Sequence, residues 1–149
     1  MIPTIKKASL ADVEIITPLF DAYRVFYEQA TDITAAANFL SERLSKNESV
    51  IFIAFMNSEA VGFIQLYPIF SSVSLRATWL LNDLYVAGNA RQQGVAAALL
   101  NQAKLFGIQS NAKWLLLETA ADNFTAQSVY EKNGWIKQTD FFYQLPLDT

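Results

Sequence analysis

The run Leu81-Asn82-Asp83-Leu84-Tyr85-Val86, continued by Ala87-Gly88-Asn89-Ala90-Arg91-Gln92-Gln93-Gly94-Val95-Ala96, carries the most information in this chain. Its first half is apolar and rich in β-forming residues, which predicts the end of a strand that begins near Arg76. Its second half passes through a glycine-containing loop into a predicted helix over 93–106. On that helix Val95, Leu99 and Phe106 share a face, with Asn101 and Lys104 opposite. A helix N-terminus presents four unpaired backbone N–H groups and about half a positive charge, so it suits a phosphate. Gly94 lets the backbone approach such a ligand, the small Ala96 keeps the first turn open, and Arg91 can add a fork of donors. The spacing is neither GxGxxG nor GxxxxGK followed by Ser or Thr, so dinucleotide and P-loop readings lack their residues. Taken alone, the pattern is better read as a strand, a tight turn and a packed helix with no ligand.

Upstream, residues 2–8 read as a short strand. Residues 11–29 read as an amphipathic helix, with Val13, Ile16, Leu19, Phe20, Tyr23 and Tyr27 at helical spacing. Thr31-Asp32 offers an N-cap to a second helix over 33–45. Val50–Met56 and Val61–Phe70 are apolar strand runs joined by the turn Asn57-Ser58-Glu59-Ala60. Downstream, residues 113–119 read as a buried strand, 125–133 as a helix, and the C-terminus as two short strands. The order β-α-α-β-β-β-α-β-α-β-β predicts an α/β or α+β sandwich of layers, a mixed sheet with helices on both faces. At 149 residues, with no repeat or Pro/Gly/Ser-rich linker, the expectation is one domain spanning 1–149.

Composition excludes several chemistries. Without cysteine there is no disulfide, thiolate metal site or cysteine nucleophile, and without histidine there is no imidazole base or His-ligated metal. No metal is expected, and proton chemistry falls to carboxylates, tyrosine, lysine or water. The net charge of −3 speaks against a duplex nucleic-acid binder. No apolar stretch approaches the ~18 residues of a membrane span, and no apolar run follows Lys6-Lys7, so a soluble cytoplasmic protein is expected.

The downstream half adds Leu116-Leu117-Glu118-Thr119-Ala120-Ala121-Asp122-Asn123, then Ala126, Tyr130, Glu131-Lys132-Asn133 and Gly134-Trp135. Together with the Arg91–Ala96 loop, these residues resemble the GNAT family of N-acetyltransferases, closely over about 79–143. In that family an Arg-x-x-Gly-x-Gly/Ala loop is followed about 30 residues later by an Asn-x-x-Ala-x-x-x-Tyr helix. The resemblance implies a mixed sheet of about seven strands flanked by about four helices, splayed between the strands at 79–87 and 113–119. It implies acetyl-CoA as cosubstrate, its pantetheine arm entering the splay beside a bulged strand end at Leu84, Tyr85 and Val86. Backbone N–H groups of Gln92, Gln93, Gly94, Val95 and Ala96 would wrap the pyrophosphate with Arg91. Asn123 and Ala126 would meet the cofactor, with Lys132 near its phosphate end.

Tyr130 matches the tyrosine that family members use as general acid on the departing thiolate. The base is open. The family's common glutamate four residues before the bulge valine is Asn82 here, and strand alternation turns Asp83 away from Asn82, Leu84 and Val86. Glu118 matches a glutamate base found in members that acetylate protein N-termini, and water is the remaining choice. The first two helices would cover the acceptor and give Tyr23, Arg24 and Tyr27 as candidate substrate contacts, to which the hairpin adds Tyr67 and the strand over 76–86 adds Asn82. The leading expectation is transfer to a small-molecule primary amine. A peptide N-terminal acetyltransferase and a non-catalytic CoA-binding sensor are the alternatives, and a homodimer is expected from the family.

Overall fold

The computed structural model describes residues 2–148. They fall into two compact units divided after Glu118.

The first unit is built on a five-stranded sheet in sequential order: β1 (Thr4–Lys7), β2 (Val50–Met56), β3 (Glu59–Ser71), β4 (Arg76–Val86) and β5 (Leu115–Leu117). The first four are antiparallel neighbours, and β5 lies parallel to β4, which makes the sheet mixed. The parallel pair needs a crossover, and α3 (Val95–Gln109) supplies it. Between β1 and β2 come a 3₁₀ turn at Leu10–Asp12 and the helices α1 (Val13–Phe26) and α2 (Ile33–Ser45). Asp32 caps α2 by accepting from Ala35 N–H at 3.0 Å, as its sequence position predicts. The β2–β3 turn places Asn57 and Ser58 at φ 53° and 66°, the left-handed pair that a two-residue hairpin turn requires.

Alternation along the strands sorts the core into two layers. Ile51, Ile53 and Phe63 join Val13, Ile16, Leu19, Phe20, Ala36 and Leu40 beneath α1 and α2. On the opposite face Phe52 meets Phe106 of α3 at 5.7 Å between ring centroids. Gly62 lies under Val95 and Leu99, and a Cβ there would stand 2.8 Å from the Tyr85 carbonyl oxygen. Helices therefore cover both faces, as the element order predicts.

The second unit contains α4 (Phe124–Lys132). Asn123 caps it, accepting from Ala126 N–H at 3.2 Å. The helix ends in a Schellman arrangement: Gly134 at φ 91° donates to Glu131, and Trp135 donates to the Tyr130 carbonyl at 3.1 Å. The Trp135 ring sits 6.2 Å from that of Tyr130, the apolar contact that commonly accompanies this cap.

Among the described residues the sheet has five strands rather than about seven, because residues 135–148 carry none. The apolar character of Phe141, Phe142 and Tyr143 favours a strand locally, but a strand exists only where a ladder partner is in register.

Candidate active site

The site begins where β4 outruns β5. The parallel ladder pairs Trp79 with Leu115, Leu80 with Leu116 and Leu81 with Leu117, and there it stops. The last five residues of β4, 82–86, continue without β5. This is the splay that the sequence resemblance implies.

A single extra residue determines what the open edge presents. The β3–β4 register runs Leu66 opposite Leu81 and then Gln65 opposite Asp83, so Asn82 is the bulge residue. The irregularity falls two residues before Leu84, earlier than the family pattern suggests. Before it, Trp79 aims its N–H away from β3, donating to the Trp114 carbonyl at 3.2 Å. After it, Ala87 donates to Val61 next to β3 at 2.8 Å. Period-two alternation then points the backbone groups of Leu84 and Val86 to the edge that β5 has left. Without the bulge those positions would be held by Asp83 and Tyr85.

The loop that follows also suits an anion. Gln92 and Gly94 adopt left-handed conformations at φ 61° and 82°. Gly94 is the N-cap of α3, no side chain caps that end, and no acidic residue lies in the first turn. The N–H groups of Val95, Ala96 and Ala97 therefore lack intrahelical partners. A Cβ on Gly94 would meet nothing within 4 Å, so the space beside this turn is open. The residues present thus fit the pyrophosphate and pantetheine of acetyl-CoA.

Arg91 makes contacts at the end of β4 as well. Its Nε donates to the Val86 carbonyl at 3.0 Å, and its guanidinium lies 5.6 Å from the Phe26 ring and 5.8 Å from that of Tyr85. It ties the loop to the end of β4. Gln93 donates to the Asn89 carbonyl at 3.1 Å, bracing the same turn.

On the α1 face lies a polar cluster that strand alternation alone undervalued. The bulge turns Asp83 to the side of Phe63 and Tyr85, beneath α1. Asp83 is 3% exposed, accepts from the fully buried Gln65 amide, and accepts from Asn82 Nδ2 at 2.9 Å. The Tyr23 hydroxyl, 3.4 Å from the Asn82 carbonyl, also hydrogen-bonds toward this carboxylate. Burial pushes the Asp83 carboxyl above the usual carboxylate range, only partly offset by these donors. Burial and the Asp83 charge push the Tyr23 and Tyr67 phenols well above the ordinary tyrosine range. The sequence signal for Asp83 was its place on β4, and what hid it was the bulge.

Of the other expected acceptor contacts, Tyr27 packs edge-on to Tyr23 at 5.1 Å. Arg24 turns to the Ala30 carbonyl. Asn82, the bulge residue, is exposed. Glu118 is exposed just past β5. In the second unit Tyr130 is half-buried on α4, Asn123 spends its side-chain oxygen on the cap, Ala126 supplies the capped N–H, and Lys132 ends the helix.

A mixed sheet parted at its last two strands, an open strand edge and an uncapped helix end together define an α+β acetyltransferase architecture. The family model described as the acetyltransferase (GNAT) family matches residues 16–135, and the chain belongs to this family. It is 47% identical over 139 residues to an uncharacterized N-acetyltransferase, YhfO, of Bacillus subtilis, covering 93% of each chain. It is 37% identical over 130 residues to a probable acetyltransferase of Haemophilus influenzae, covering 87% of each. A crystal structure of a probable acetyltransferase superposes with a TM-score of 0.93 at 41% identity, over 98% of this chain and 99% of that one.

Proposed function

We propose that this protein transfers the acetyl group of acetyl-CoA directly to the primary amine of a small molecule. The observation that carries the reading is the open edge of β4 leading into the uncapped N-terminus of α3. Acetyl-CoA supplies the activated acyl thioester. Leu84 and Val86 hold its amides by their backbone groups, and Tyr85 supports that strand end from the α1 face. Gln92, Gln93, Gly94, Val95 and Ala96 hold the pyrophosphate by backbone N–H groups, with Arg91 bracing the loop. Asn123, Ala126 and Lys132 complete the cofactor contacts in this reading.

Tyr130 is the general acid for the departing thiolate. A phenol near pKa 10 giving its proton to a thiolate near 8.5 is uphill by about 2 kcal/mol, so the donation is coupled to bond cleavage rather than preceding it. The acceptor is an alkylamine, protonated at neutral pH, whose lone pair costs ~4 kcal/mol to expose. Glu118 or water takes up its proton. Tyr23, Arg24, Tyr27, Tyr67 and Asn82 contact the acceptor. With no cysteine in the chain, transfer occurs in a ternary complex without an acyl-cysteine. A cytoplasmic homodimer belongs to the same reading and rests on the resemblance.

The test is acetylation of an amine panel (n-butylamine, tyramine, an aminoglycoside and an alanyl peptide) followed by free-thiol release. Wild type is expected to turn over one or more of the small amines. Tyr130→Phe is expected to lower kcat by about a hundredfold while leaving CoA affinity near normal. CoA binding without turnover of any amine would mark a sensor and overturn the reading. Turnover of the peptide alone would redirect it to protein N-termini.

A further inference from the structure

The bulge at Asn82 puts Leu84 and Val86 on the open edge, and the side chains on the two faces of the sheet show what selects it. In β3, Gln65 lies opposite Ile51 of the α1 layer, whereas Ile64 lies opposite Phe52, whose ring meets Phe106 of α3. The bulged register brings Asp83 opposite Gln65 and Leu84 opposite Ile64. An unbulged β4 would shift each by one residue, setting Asp83 opposite Ile64 and Tyr85 opposite Gly62, both on the α3 face. Neither residue has a place there. Ile64, Val95 and Leu99 are buried and apolar, so their side chains supply no donor to a carboxylate. A single Cβ on Gly62 would already stand 3.3 Å from Val95 and 3.5 Å from Leu99, so α3 lies too close for a ring opposite it.

On the α1 face both residues are accommodated. Asp83 is buried, and each of its oxygens is used. Oδ2 accepts from Gln65 Nε2 across the strands, and Oδ1 accepts at 2.9 Å from Nδ2 of Asn82, the bulge residue itself. The Tyr23 hydroxyl of α1, 3.4 Å from the Asn82 carbonyl, holds the bulge from the helix side. Tyr85 packs against the rings of Tyr23 and Phe63, at 6.3 and 6.5 Å between centroids. Gln65 is fully buried, and its Oε1 is left without a hydrogen-bond partner. Burying this pair therefore costs stability, and apolar residues of similar volume often serve a core as well or better. What the pair supplies is a choice of register.

We propose that Asp83, with Gln65 as its cross-strand partner, is a positioning residue that locks β4 in the bulged register, so that Leu84 and Val86 rather than Asp83 and Tyr85 meet the pantetheine arm. This rests on the acetyltransferase reading above and gives its cofactor edge a side-chain cause. The carboxylate transfers no proton and touches no substrate. It acts by what it forbids, since in the other register it would be a buried charge in an apolar layer.

The discriminating variant removes the lock without leaving an orphaned group. Gln65→Met combined with Asp83→Val replaces the pair by apolar side chains, so Tm is expected to hold or rise. The other register is then open to residue 83, and the strand end over 82–86 loosens. In wild type Ile64 and Leu84 stand directly opposite as a non-hydrogen-bonded pair, whose α protons give a strong NOE. In the double variant that NOE is expected to weaken and to be joined by one from Ile64 to residue 83. Kd for CoA is expected to rise about tenfold, the worth of one or two hydrogen bonds. Kd for the phospho-ADP half of CoA, which lacks the pantetheine arm, is expected to stay within about twofold. Asp83→Asn keeps a polar group that the α3 layer excludes, so it is expected to retain the NOE and to bind CoA within about threefold of wild type. If the double variant does not fold, Asp83→Val alone carries the same readings. An unchanged NOE and CoA affinity in the apolar variant, or equal losses for CoA and its phospho-ADP half, overturn the lock alone. A wild type that binds CoA no better than the phospho-ADP half removes the pantetheine edge, and the acetyltransferase reading with it.

Discussion

Gly94 joins two demands in one residue. Its φ of 82° lies where a side chain is strained, and the space beside it is open. Gly94→Val is therefore expected to cost about 1 kcal/mol of stability from the backbone. It should also weaken CoA binding tenfold or more, because the new side chain enters the space where the pyrophosphate is proposed to lie. Titration calorimetry with CoA checks this, and an unchanged affinity would remove the loop from the cofactor site. At this scale the sequence was legible where a residue acts on the chain beside it, as Gly94 does by its left-handed φ and Asp32 by its side-chain cap. It was less legible for the contacts Arg91 makes within the chain. The structure commits its Nε to Val86 and its plane to Phe26 and Tyr85, partners set by packing across α1 and β4.

Elements carry their own predictions. The Glu131-Lys132-Asn133-Gly134-Trp135 stretch, recognised in the sequence as part of a family motif, is a helix stop. Gly134 supplies the left-handed turn at φ 91°, and Trp135 closes on Tyr130, so the stop also holds the proposed acid in place. Gly134→Ala is expected to destabilise by about 1 kcal/mol, read as a lowered urea midpoint with an unchanged m-value. The helices α2 and α4 and strands β2 and β4 were readable to within a residue or so, because caps, turn residues and apolar periodicity are local signals. Residues 11–29 split into a 3₁₀ turn and a shorter α1, and β5 shrank to Leu115–Leu117. Element ends depend on hydrogen bonds to neighbours, which the local pattern does not contain. The bulge at Asn82 is the clearest case, since one unpaired residue in a strand leaves no compositional trace.

For the molecule as a whole, buried carboxylates of opposite sign shape the pH dependence. Asp12 is held below its ordinary pKa of 3.8 by the Lys6 ammonium and the Ser9 N–H, and Asp21 by the Thr31 hydroxyl and the Asp32 N–H. Their stabilisation is present above the unfolded value and is lost as pH falls through the lower folded values. Asp83 is raised, so its contribution is fully present below the unfolded value and is lost as pH rises through the folded one. With no histidine in the chain, no imidazole titration overlaps this contribution. Tm is expected to rise as pH is lowered through the raised Asp83 value, then fall as Asp12 and Asp21 are protonated below the ordinary 3.8. Asp83→Asn should flatten the first limb and leave the second, which thermal unfolding across that range measures. The sequence alone determined the family, the layered α+β class and the exclusion of cysteine and histidine chemistry, because these rest on residue identity and on short-range periodicity. The tertiary structure alone decided which edge of β4 stands open, which face Asp83 occupies and what Arg91 holds. Those depend on the register between β3 and β4, a property of two strands together that neither strand's sequence contains.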